Sequence, residues 1–238
     1  MSIPRIRVLP DADAVASAGV ELVVEAFRAS SAVRDTFSVA LAGGHTPRLM
    51  YQRLAQSLSI DWSRVQLYFG DERCVPPDSP DSNFRMACEN LIEPASIPYD
   101  HVHRMRGEID PAAAAAEYDQ ILETAFAGGG LDVVILGMGE DGHTASLFPG
   151  TKALHETQRL CVANFVPNLN TWRLTMSPVF LNRSARVLFL VTGQAKAAAV
   201  QQALEGQADP DRLPVRLIDP VSGSLIWLLD AAAAGMSQ

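Results

Sequence analysis

Leu131-Asp-Val-Val-Ile-Leu-Gly137-Met-Gly139-Glu140-Asp141-Gly142-His143-Thr144-Ala-Ser146-Leu-Phe148-Pro149-Gly150 is the stretch whose reading decides the fold. It begins as a short, almost unbroken apolar run, the pattern of a strand covered on both faces in a parallel sheet. Glycines at 137, 139 and 142 follow, and their conformational freedom lets the backbone turn and come close to a ligand. His143 stands just beyond, where the pattern predicts a helix over residues 144–148. In open α/β sheets ligands bind in the crevice outside the carboxyl ends of the strands, so chemistry is expected here. Histidine is the side chain whose ordinary pKa suits proton transfer near neutrality, and Asp141 can fix its tautomer or stabilise its charged form. A lone histidine is more often structural; one presented on a glycine-rich strand end favours function.

The same alternation of apolar runs and amphipathic stretches extends outward in both directions. Strands are expected at 5–9, 37–41, 65–69, 102–105, 131–136, 160–164, 173–176, 187–191 and 225–229. Helical patterns lie at 11–31, 46–58, 82–92, 111–127, 144–148, 178–182 and 194–204. This is an α/β fold, a Rossmann-like three-layer sandwich with a largely parallel central sheet. It is read as a single domain over residues 1–238, with 206–214 as a loop and no internal repeat. At 238 residues folding buries roughly 70% of the unfolded chain's surface, enough for a core without staples.

Composition excludes several classes of function. The formal charge is −8 at neutral pH, so there is no electrostatic footprint for nucleic acid or an anionic membrane, and an anionic ligand must meet a local pocket of positive charge. Of the 19 basic residues only Lys152 and Lys196 are lysines. Cys74, Cys88 and Cys161 are too scattered for a disulfide framework or a structural zinc site, so a reducing, cytoplasmic setting fits best. No window approaches the ~20 apolar residues of a membrane helix, and MSIPRIRVLP lacks a secretory apolar run. The expected assembly is a monomer or weak homodimer.

Other strand ends carry candidates of their own. Phe37–Leu41 runs into Ala42-Gly43-Gly44-His45-Thr46-Pro47, where backbone amides at a helix start could hold phosphate or carboxylate, or where Thr46 could simply cap a tight turn. The spacing fits neither a dinucleotide nor a nucleoside triphosphate loop. Gly70-Asp71-Glu72-Arg73 follows the next strand: Arg73 could grip an oxyanion with Asp71 orienting it, or the pair could be a solvated turn. Cys74 beside it is read as an inert thiol. Arg173 alternates away from Trp172 and Leu174, and Lys196 lies on the first turn of a helix entered from a strand.

Taken together, Ala42-Gly-Gly-His-Thr-Pro47, Phe69-Gly-Asp-Glu-Arg73, Asp81-Ser-Asn83-Phe-Arg-Met-Ala87, Gly137-Met-Gly-Glu-Asp-Gly-His-Thr-Ala-Ser-Leu-Phe-Pro149, Arg173-Leu-Thr and Thr192-Gly-Gln-Ala-Lys196 resemble the glucosamine-6-phosphate deaminase/6-phosphogluconolactonase family, on its lactonase side. The resemblance covers nearly the whole chain. It implies hydrolysis of 6-phospho-D-glucono-1,5-lactone to 6-phosphogluconate in the oxidative pentose phosphate pathway, without cofactor or metal. It also implies a Rossmann-like sheet shared with glucosamine-6-phosphate deaminase and ribose-5-phosphate isomerase. Carried onto this chain, it makes His143 the base that activates water, with Asp141, Asp71 and Arg73 as catalytic partners. The amides around Gly43–His45 and the Arg73 guanidinium are the oxyanion candidates. Gly43, Gly44, His45, Thr46, Asn83, Arg173 and Lys196 are the substrate-binding set. His45 departs from the serine or arginine usual in relatives, and offers a ring N–H instead of a hydroxyl.

Two rival functions are weaker. A deaminase would carry a glutamate beyond the histidine, whereas Leu147-Phe148-Pro149-Gly150 has no carboxylate. A sugar-phosphate-sensing regulator would usually add a DNA-binding module, for which no basic helix is present.

Overall fold

The structure, a computed structural model, describes residues 4–205 and 209–236. Six strands make a wholly parallel sheet: β1 (Arg5–Leu9), β2 (Phe37–Leu41), β3 (Val65–Phe69), β5 (Val133–Leu136), β8 (Arg186–Val191) and β9 (Ser224–Asp230), in the order β1-β9-β8-β5-β2-β3. β5 lies between β2 and β8 and is buried along its whole length, as its continuous apolar sequence requires. β1 lies at an edge and is largely exposed, Ile6 and Val8 as well as its two arginines.

The layers follow from which residues of one strand meet which helix. Helices α1 (Ala12–Ser31) and α2 (His45–Leu54) cover one face, where Val23 and Leu54 line a small apolar hollow together with Leu67 of β3. Its neighbour Tyr68 points the other way and packs on Phe126 of α4 (Pro111–Phe126), with ring centroids 5.2 Å apart. Asp11 caps α1 by accepting the Ala14 N–H at 2.8 Å, and Asp110 caps α4 ahead of Pro111. Three shorter helices, α3 (Asn83–Ala87), α5 (Pro178–Leu181) and α6 (Ala197–Glu205), complete the set.

A second sheet was not foreseen. β4 (Asp71–Arg73), β6 (Cys161–Val166) and β7 (Thr171–Met176) form an antiparallel three-stranded sheet in the order β4-β7-β6. The segment read as a candidate solvated turn is thus a strand, with Asp71 and Glu72 buried. Three further expectations change. Residues 102–105 make only one bridge, Leu67 to Val102, because His103 stacks on Tyr68 and the chain then leaves the sheet. Residues 144–148 do not form a helix, since Ala145 adopts a left-handed φ of 47° and Thr144 pairs with Leu147. The helix at 82–92 is α3 continued by a π-turn, Cys88–Ile92. Of the expected 206–214 loop, residues 206–208 lie outside the described residues and the remainder turns into a 3₁₀ segment, Pro214–Leu217. No helix among the described residues is long and apolar enough to cross a membrane.

One buried hydroxyl anchors the end of β2. Tyr51 of α2 accepts from the Ala42 N–H at 2.8 Å and donates to the Ala42 carbonyl at 2.9 Å. Tyr51→Phe leaves both backbone groups buried and unpaired, and is expected to lower the unfolding free energy by about 1–3 kcal/mol, measurable by chemical denaturation.

Candidate active site

The segments that follow β2, β3, β5 and β8, neighbours in the sheet, open onto one cleft of about 690 Å³. Every residue expected to act there lines it: Gly43, Gly44, His45, Thr46, Asp71, Arg73, Asn83, Asp141, His143, Arg173 and Lys196. Positions 42 to 196 of the sequence therefore meet because parallel strands deliver their carboxyl ends to the same side, and the small antiparallel sheet adds Asp71, Arg73 and Arg173.

His143 is held on three sides. Its Nδ1 lies 2.5 Å from Asp141 Oδ1, and the same oxygen accepts the His143 backbone N–H at 3.1 Å. Its ring stacks on Phe148 at 4.1 Å between centroids. Gly139 lies against the ring, and a Cβ there would collide with Nδ1 and with Asp141. Burial raises the Asp141 carboxyl, but the His143 hydrogen bonds and charge outweigh it and leave its pKa below the usual range. An ionised carboxylate only accepts, so Nδ1 carries the proton and Nε2 of the neutral ring keeps its lone pair.

His45, the other histidine in the cleft, has the opposite polarity. Its Nδ1 lies 2.9 Å from Arg48 Nη2, and arginine only donates. The neutral ring consequently carries its proton on Nε2 and presents a donor. His45 begins α2, whose first turn has no side-chain cap, so its leading amides remain open. The Thr46 hydroxyl pairs at 2.7 Å with that of Thr192 rather than capping the turn.

Arg73 and Arg173 are directly paired residues across β4 and β7, so both guanidinium groups leave the same face of the small sheet. Burial first, and the charge of Arg73 second, hold the Arg173 pKa below its usual range. Two like charges set side by side in a cleft make a place for an anion. Lys196 approaches from the β8 side and lies 3.9 Å from Glu140. The turn that carries it is fixed by buried Asp230 at the end of β9, which accepts the Gly193 N–H at 3.0 Å.

Asp71 does not meet Arg73 as expected. Its Oδ2 accepts from Ser146 at 2.6 Å and its Oδ1 from the Asn83 amide at 3.2 Å. Arg73 instead donates to the Asp81 carbonyl. Burial pushes the Cys74 thiol up to about 11, which suits an inert group. Among the described residues no group of three metal-ligating side chains is gathered.

A family model described as glucosamine-6-phosphate isomerases/6-phosphogluconolactonase matches residues 10–227. The chain belongs to this family. The 6-phosphogluconolactonase of Nostoc sp. is 39% identical over 235 residues, covering 96% of each chain. The solved 6-phosphogluconolactonase of Trypanosoma brucei superposes with a TM-score of 0.87 at 32% identity, covering 98% of both chains. A monomeric glucosamine-6-phosphate deaminase, at 21% identity and a TM-score of 0.82, shares the fold. Ser146, Phe148 and Thr192 also line the cleft, and Asp230 fixes the Lys196 turn from outside it; none of them was assigned a role from sequence. Asp230 carried a usable signal, a carboxylate directly after a buried strand, the same one that drew attention to Asp71.

Proposed function

We propose that the protein hydrolyses 6-phospho-D-glucono-1,5-lactone to 6-phosphogluconate, the lactone step of the oxidative pentose phosphate pathway. The observation that carries this reading is the presence, in one cleft, of a carboxylate-held histidine with a free Nε2 and the facing pair Arg73 and Arg173. Similarity to named 6-phosphogluconolactonases supports it.

In the proposed reaction His143 Nε2 takes a proton from water as the water oxygen bonds to the lactone carbonyl carbon. Asp141 holds the ring's tautomer and stabilises the imidazolium. Negative charge then develops on the former carbonyl oxygen, where Arg73 or the amides of the Gly43–His45 turn stabilise it. The intermediate collapses by breaking the bond from carbonyl carbon to ring oxygen, which takes the proton back from His143. The product acid then ionises. Arg173 and Lys196 grip the remote phosphate, with the His45 Nε2–H as a further donor. Asp71 and Asn83 bind ring hydroxyls, and holding the ring brings water and carbonyl into reactive geometry.

Beyond His143 the chain runs Leu147-Phe148-Pro149-Gly150, and Phe148 spends its side chain stacking on the histidine ring. That favours hydrolysis over the deaminase reaction, which needs a further acid-base group for ring opening and proton movement between carbons. The test generates the lactone in situ and follows its decay with and without the protein, against an uncatalysed control. Decay at the spontaneous rate would defeat the proposal. A chelator is expected to leave the rate unchanged, since both aspartates of the cleft are engaged with His143, Ser146 and Asn83, and Glu140 stands at the exposed rim beside Lys196. Loss restored by added metal would contradict this.

A further inference from the structure

Glu72 stands in sequence between two cleft residues, yet it is 2% exposed and does not line the cleft. Alternation along β4 turns it to the opposite side of the strand from Asp71 and Arg73. Both of its oxygens are occupied. Oε1 accepts the backbone N–H of Asn83 at 2.7 Å and of Arg73 at 2.8 Å. Oε2 accepts the backbone N–H of Phe84 at 2.8 Å and the Ser82 hydroxyl at 3.0 Å. Burial raises its pKa, against the pull of those three backbone bonds.

The bonds converge on the wall of the site. The carboxylate ties β4 to the start of α3, and the two N–H groups gathered on Oε1 belong to the residues on either side of that join that reach the cleft. Asn83 passes the constraint on, donating to the Asp71 carbonyl at 2.9 Å and to its Oδ1. Only an ionised carboxylate accepts from four donors at once.

We infer that Glu72 is a positioning residue for the hydrolysis: from behind the cleft wall it holds Arg73 and Asn83 where they meet the substrate. The inference rests on the lactonase reading. Glu72→Gln tests it, because whichever way the amide turns it aims an N–H at a backbone N–H. With kcat and KM read separately, well below the melting temperature of the variant, kcat/KM per folded molecule is expected to fall about 10- to 100-fold, the scale of an ångström-level misplacement. A variant that melts earlier but loses less than about tenfold in kcat/KM overturns the inference and leaves Glu72 a purely structural carboxylate. Should Glu72→Gln fail to fold, Ser82→Ala removes one donor from the same carboxylate: a measurable fall in kcat/KM supports the inference, and wild-type kinetics overturn it. Wild-type protein in the same assay separates the two readings. An inactive wild type defeats the lactonase proposal, whereas an active wild type beside an unimpaired variant defeats only the role of Glu72.

Discussion

His143→Ala is expected to lower kcat by at least about 10²-fold, the usual worth of a positioned general base, with the protein still folded. Folding survives because the loop is held by its backbone: Gly139 donates to the His143 carbonyl at 2.8 Å, and the His143 N–H reaches Asp141. The histidine side chain is 30% exposed, so its removal opens no sealed cavity. What is lost is the Nε2 lone pair that Asp141 keeps free. KM for the phosphorylated lactone is expected to change little, since the groups proposed to grip its phosphate lie on other strands. The measurement is the enzymatic rate above spontaneous hydrolysis, alongside a thermal melt. A folded variant within a few-fold of wild type would remove His143 from the mechanism and turn attention to His45. The opposite tautomer of His45 makes it the poorer base, because its Nε2 already bears the proton in the neutral ring.

Lys196→Ala is expected to raise KM for 6-phosphogluconolactone by about 10- to 100-fold, the value of one charge-assisted hydrogen bond. The effect on unphosphorylated gluconolactone should be small, and kcat should hold on both. The lysine is a compact point charge well matched to phosphate, and its backbone is fixed through Gly193 by Asp230. Its contact with Glu140, at 3.9 Å on the exposed rim, is too weak to hold it against a doubly charged ligand. Equal losses on the two lactones would show that Lys196 serves the reacting end. In a chain with 17 arginines, one of two lysines occupies this position, and the substitution asks whether that placement is chemical or accidental.

The central sheet was readable because its strands are covered on both faces: Val133–Leu136 and Arg186–Val191 need apolar residues almost throughout, which leaves a signal that survives without knowledge of neighbours. The strand Asp71–Arg73 left no such signal. Three charged residues have no strand propensity, and they form one because β7 pairs with them while buried polar groups satisfy Asp71 and Glu72. The false helix at 144–148 has a similar origin. Its residues suit a helix locally, but the Thr144 hydroxyl bonds the Gly137 carbonyl at 2.8 Å and the Ser146 hydroxyl is drawn to Asp71, so tertiary partners override propensity. Whereas Arg173 lies inside β7, Gly43, Asp71, His143 and Lys196 were legible because they follow strand ends. Their pairing was not: that Asp71 turns to Ser146, and Thr46 to Thr192, is decided by residues 75 and 146 positions away.

The strand order β1-β9-β8-β5-β2-β3 places β8 and β9 between β1 and the middle of the sheet, although both come late in the sequence. A chain emerging from the ribosome holds β1, β2, β3 and β5 long before β8 and β9 exist, and through that interval β1 has no partner strand and β5 has one bare edge. Lys196 follows β8, and Asp230, the last residue of β9, arrives only with that strand. The turn that carries Lys196 is therefore fixed only when β9, with Asp230, is paired with β8. The cost of a sheet in which β9 fills the place between β1 and β8 is a nascent chain whose exposed sheet edges must be kept from pairing with their neighbours until β9 is in place.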